Sequence, residues 1–239
     1  MDRNRWIVFG VIVAVVFGLL FLNKKSNDVN VESQDPNKVN INPKDGVIGD
    51  HIFGTDSKKV VLFEYGDYQC PGCGAAYPKL KAVSEHYKDQ LSFIFRNFPL
   101  TSIHPNALAA ASAAEAAGLQ DKFWEYHNKL YENQNDWSGS DITERTDFFV
   151  KYAKEVGIKD VDKFKKDMET PKVSQKIRTD QALGRKVGVQ ATPTIILDGK
   201  TLQTSQFNTQ KDLENVIRDA IKKSGQTLPE PIAETDSSS

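Results

Sequence analysis

The 239-residue chain carries 31 Lys and Arg against 32 Asp and Glu, a formal net charge of -1. It lacks the basic excess with which nucleic-acid binders neutralise phosphate, so no nucleic-acid partner is expected. Hydrophobic residues at 39% suffice for a core, and two cysteines are too few for a disulfide-dense scaffold or for a zinc site made of cysteine alone.

Residues 6–22 (WIVFGVIVAVVFGLLFL) contain no charged or strongly polar side chain. At about 1.5 Å per residue a helix of this length spans roughly 25 Å, the short end of what crosses a bilayer. The run is longer than the roughly 7–15 apolar residues of a signal peptide. It is followed by Asn23, Lys24 and Lys25, with no small-residue cleavage site. It reads as an uncleaved transmembrane anchor, with a cleaved signal peptide as the competing reading. Residues 1–5 then form a cytoplasmic tail and the body lies on the extracytoplasmic side of a single-pass membrane protein, since long domains translocate largely regardless of charge. Residues 23–46, polar and without apolar periodicity, read as a tether, and residues 226–239 as a C-terminal tail.

The body begins with residues 59–65 (KVVLFEY), a run dense in β-branched and aromatic residues, as in a strand buried on both faces. A helix follows, with Ala76, Leu80, Val83 and Tyr87 on one stripe and a kink expected at Pro78. Residues 91–98 (LSFIFRNF) form a second strand, completing a βαβ unit. Residues 101–187 contain no convincing strand. Helices are expected from Pro105 to Gly118, over 121–132, over 143–156 and over 173–187. Strand character returns at 194–197, and Asp198-Gly199 predicts a tight hairpin turn into 200–203. A closing helix over 210–223 aligns Leu213, Val216, Ile217, Ala220 and Ile221. The organisation is an α/β domain over 47–100 and 188–225, split by a helical insertion over 101–187.

Both cysteines lie in Cys70-Pro71-Gly72-Cys73, directly after a strand and at a helix start. Unpaired amides and the positive end of the helix dipole lower the pKa of Cys70, making its sulfur a good nucleophile and a good leaving group. Cys73, one turn on, can close a small disulfide ring. A metal half-site would need two more ligands, and His51, His86, His104 and His127 form no paired spacing. A structural disulfide of so short a loop would constrain the unfolded chain little. The pattern points to redox catalysis by the cysteine pair, with no other cofactor.

FEYGDYQCPGC at the strand-to-helix turn, a long helical insertion, then VQATPTIILDGK resembles the DsbA-like thiol-disulfide oxidoreductases, whose thioredoxin fold is interrupted by a helical domain. With the apolar N-terminal run, the chain is most similar to the membrane-anchored BdbD-type members of Gram-positive bacteria. The resemblance covers residues 45–225. It implies catalytic roles for Cys70 and Cys73, a cis peptide between Thr192 and Pro193 facing them, and a buried Glu64 that moves protons to or from Cys73. Tyr68, Gln69 and Tyr77 are expected to shape the surface around the site. The sequence departs from the family's best-known oxidases at Gly72, where they carry His, and at Thr192, where they carry Val. The implied activity is introduction of disulfide bonds into exported proteins by a monomer. Its implied partners are exported proteins with free thiols and a DsbB-like, quinone-linked membrane reoxidase. A reductase on the same fold and a non-enzymatic copper carrier are the alternatives; against the carrier, the only methionines are Met1 and Met168.

Overall fold

The computed structural model describes residues 29–40, 48–57 and 59–233. The anchor expected over 6–22 lies outside the described residues. Among those described, no helix is long and apolar enough to cross a membrane.

The elements run β1 (Ile52–Gly54), β2 (Val61–Gly66), α1 (Pro71–His86), β3 (Ser92–Asn97), α2 (Ala107–Gly118), α3 (Phe123–Glu132), α4 (Gln134–Trp137), α5 (Ile142–Glu155), α6 (Val161–Asp167), α7 (Pro171–Lys186), β4 (Thr194–Leu197), β5 (Lys200–Thr201) and α8 (Gln210–Lys223). The strands form one mixed sheet in the order β1-β3-β2-β4-β5. β2 and β3 are parallel, with Glu64 beside Phe95, and β4 returns antiparallel to β2, with Glu64 beside Ile195. The hairpin turn has positive φ at both Asp198 and Gly199, the conformation that favours this residue pair. α1 runs unbroken through Pro78.

β1 and the short helices α4 and α6 were not expected. Elements of three to seven residues are too short for a clear period, and β1 is held by pairing with β3 through Ile52–Ile94 and Phe53–Phe93.

Strand alternation divides the core. Leu62, Phe93, Ile195 and Leu197 meet Leu80 and Val83 of α1 and Leu213 and Ile217 of α8 on one face. Val61, Phe63, Tyr65 and Ile94 face the other side, where α7 approaches through Gly184. A β-carbon on Gly184 would lie 2.8 Å from the Phe98 ring. The insertion has its own core, in which the alanines of α2 meet Phe123, Tyr126, Trp137, Phe149 and Phe164, and this core continues to Cys70 and Cys73.

Residues 29–40 correct the tether expected over 23–46. They are a layer of the fold. Arg96 donates to the Pro36 and Lys38 carbonyls, Lys186 donates to those of Val31, Glu32 and Gln34, and Val39 packs against the cluster that includes Val61, Phe63 and Ile94. Main-chain carbonyls serve as acceptors whatever their side chains, which is why a polar composition conceals this docking. Part of the expected C-terminal tail is also held. Ile232 N donates to Glu214 at 2.7 Å and Arg218 donates to the Pro229 carbonyl at 2.8 Å.

Candidate active site

Cys70 is the N-cap of α1, with Pro71 at the first helical position, where the missing N–H costs nothing. Both cysteines are present as thiols and both are buried. The peptide between Thr192 and Pro193 is cis. A β-carbon on Gly72 would lie 3.3 Å from Pro193 Cδ and 3.6 Å from Cys70 Sγ, so the proline ring sits against the motif.

The two sulfurs differ in electrostatics. A hydrogen bond from Cys73 lowers the Cys70 pKa; burial opposes it, while the Thr192 side chain and the Cys73 and Gly72 amides reinforce it, bringing the group to about 5. Cys73 is pushed well above the ordinary thiol range by burial, by its bond to Cys70 and by the charge of Glu64. As a thiol, Cys70 donates to the Thr192 carbonyl at 3.4 Å. The Thr192 hydroxyl is buried and has no partner in this form; an ionised Cys70 supplies its acceptor. Thr192→Val should therefore raise the Cys70 pKa by about one unit, the equivalent of about 1.4 kcal/mol. Thiolate absorbance against pH would measure it.

Glu64 lies buried on β2, facing α1. Burial, with a contribution from Cys70, raises its pKa to about 8, and its Oε1 has no partner. A narrow cleft between α1 and α3, lined by Tyr77, Lys81, Glu85, Trp124 and His127, reaches it.

Tyr68 and Tyr77, which the resemblance expects to shape the surface around the site, are both buried. Tyr68 is buried with its hydroxyl 3.0 Å from His127 Nδ1, and Tyr77 is buried on α1 and donates to Glu132. Both join an aromatic cluster with Phe95 and Tyr131, because the insertion covers this side of the motif. Gln69 bridges to the insertion by donating to the Ser138 carbonyl and accepting from Asn106 N.

Sequence reasoning missed two residues here. Gln134 of α4 donates to the Tyr68 and Cys70 carbonyls at 2.7 and 2.9 Å, so the insertion holds the start of α1 in place. No local signal marks it. Asp67 donates its amide to Cys73 Sγ at 3.5 Å, and its carboxylate accepts from Gln69 N, an Asx turn that an Asp three residues before Cys70 does signal. Among the described residues, no three His, Cys, Asp or Glu side chains are grouped to hold a metal ion.

The sequence profile of the thioredoxin family matches residues 47–219. The chain belongs to the thioredoxin family. Its fold is DsbA-like. The crystal structure of oxidised BdbD from Bacillus subtilis is similar with a TM-score of 0.62 and 25% identity, covering 72% of this chain and 92% of that one. Alpha-DsbA1 of Wolbachia pipientis, at 0.61 and 22% identity over 73% of this chain and 92% of its own, shows the fold alone. The Na(+)/H(+) antiporter NhaA 1 of Mycolicibacterium vanbaalenii is 36% identical over 152 residues, which is 63% of this chain and 23% of that protein. The chain thus spans about a quarter of the length of such relatives, and antiport, a property of the whole relative, is not carried over. The fold is that of thiol-disulfide oxidoreductases of the thioredoxin family.

Proposed function

We propose that the protein is an extracytoplasmic dithiol oxidase, anchored by residues 6–22, that passes the Cys70–Cys73 disulfide to exported proteins. The observation that carries this reading is the placement of the two thiols, with Cys70 at the N-cap of α1 against the cis Thr192–Pro193 peptide and Cys73 fully buried behind it; in these surroundings the Cys70 pKa is lowered to about 5 and that of Cys73 is raised well above its ordinary value. A depressed thiol pKa favours the reduced form wherever the thiolate exists, so the disulfide is readily given away. That contribution is fully present above the ordinary thiol pKa and is lost as pH falls through about 5.

A substrate thiolate attacks Cys70 Sγ, the Cys70–Cys73 bond breaks, and its electron pair leaves on Cys73, which then takes a proton. Glu64 in its protonated form is the buried acid nearby, and the cleft is its route to solvent. The Thr192 carbonyl, freed once Cys70 is in a mixed disulfide, is available to a substrate amide. A second substrate thiolate attacks the substrate sulfur, releasing oxidised product and the Cys70 thiolate. The enzyme ends as the dithiol and needs an oxidant, assigned here to a DsbB-like, quinone-linked membrane protein.

Equilibration with glutathione tests the direction of transfer. The expected potential lies well above about -270 mV, the value of thioredoxin, and a value at or below it makes the protein a reductase.

Glu64 sets a second expectation. Its folded pKa is raised, so the folded dithiol retains a proton that the unfolded chain gives up. The stability it contributes is full below about pH 4.5 and is lost as pH rises through about 8. Relative to wild type, reduced Glu64→Gln should gain up to about 1.4 kcal/mol per pH unit across that window. Urea unfolding at several pH values would show this, and a flat difference would place Glu64 in solvent.

A further inference from the structure

Asp67 is buried between the motif and the insertion. Its carboxylate accepts from Gln69 N at 2.8 Å, Leu100 N at 2.8 Å and His104 Nδ1 at 2.7 Å. Its carbonyl accepts from Cys70 N at 3.0 Å, and its amide points at Cys73 Sγ. Two of the three side-chain bonds thus come from the loop that follows β3 and opens the insertion. A carboxylate cannot donate, so His104 Nδ1 carries the hydrogen.

We propose that His104 and Asp67 are positioning residues for the departing sulfur: they hold the Asp67 amide on Cys73 Sγ, where its N–H receives the negative charge released as the disulfide opens. This rests on the dithiol reading above. The reaction is the first exchange step, in which a thiolate bonds to Cys70 Sγ, the Cys70–Cys73 bond breaks and the electron pair passes to Cys73. That pair arrives in a hostile place. Burial, Cys70 and Glu64 all raise the Cys73 pKa, and the Asp67 amide acts in the opposite sense. A leaving thiolate of lower pKa departs faster, so the amide lowers the barrier at this step. Cys70 keeps its own donors, Thr192 and the Gly72 and Cys73 amides, whereas the bond that His104 makes is to Asp67.

The test uses the oxidised full-length chain and dithiothreitol, with opening of the disulfide followed by acid quench and thiol alkylation. His104→Asn places an amide nitrogen where Nδ1 stood, whereas His104→Gln fills the space but places its nitrogen where Nε2 stood. His104→Ala and His104→Gln should slow opening about tenfold, the scale of one hydrogen bond to a charged group. His104→Asn should stay near wild type, and the Cys70 pKa of all three should be unchanged. Urea unfolding identifies any variant that is merely unfolded, and the Asn and Gln pair remains decisive if the Ala variant does not fold. Equal rates for Asn and Gln, or slowing accompanied by an equal change at Cys70, overturn the proposal. A wild-type disulfide that dithiothreitol does not open overturns the dithiol reading as well, whereas wild-type exchange with unaffected variants overturns only the role of His104.

Discussion

Cys70→Ser should abolish thiol exchange, whereas Cys73→Ser should accumulate mixed disulfides. Cys73 is fully buried beneath the Asp67 turn, while Cys70 caps the helix beside Pro193 and retains some exposure, so an incoming thiolate reaches Cys70 first. At neutral pH Cys70 is ionised and reactive, since its pKa is lowered to about 5. A serine at 73 keeps a hydroxyl close to that sulfur but cannot displace a bound partner. Incubation with oxidised glutathione followed by intact-mass measurement should find one glutathione on Cys73→Ser and none on Cys70→Ser. The reverse pattern would make Cys73 the entry point and invert the mechanism.

Arg96→Met should destabilise the fold by about 3–5 kcal/mol, as breaking a buried ion pair does. Arg96 is buried in β3 and holds Asp50 with two nitrogens, Nε at 3.2 Å and Nη2 at 2.8 Å. It also donates to the Tyr65 hydroxyl and to the carbonyls of Pro36 and Lys38, and its guanidinium lies 4.3 Å from the centre of the Phe63 ring. Methionine matches the stem and supplies none of these donors. Asp50 would be left buried with Lys176 as its remaining charged partner, at 3.2 Å. The loss also releases residues 29–40, so proteolysis within that segment should accelerate along with the fall in urea midpoint. Arg96→Lys should recover little, because a single ammonium cannot reproduce the planar fork. A stable Arg96→Met with its N-terminal segment still protected would show that apolar contacts alone hold this layer.

The parallel pair β2 and β3, the alanine-rich helix, the Asp-Gly turn and the closing helix were legible because each is written in a local period or turn residue. Arg96 offers a signal as the single charge in strand β3, directly after Phe93, Ile94 and Phe95. Asp67 offered another in its distance from Cys70. His104 and Gln134 offered none, since they reach the motif from a loop and a helix 34 and 64 residues after Cys70.

The sequence by itself determined that two thiols stand one helical turn apart after a buried strand, because that placement depends only on neighbours along the chain. Only the tertiary structure decided which backbone carbonyls accept from Arg96, and which residues hold the Asp67 amide on Cys73 and the Cys70 carbonyl on Gln134. Those choices depend on carbonyls, amides and side chains that meet across long stretches of chain, and a hydrogen-bond acceptor on the main chain leaves no trace in residue type.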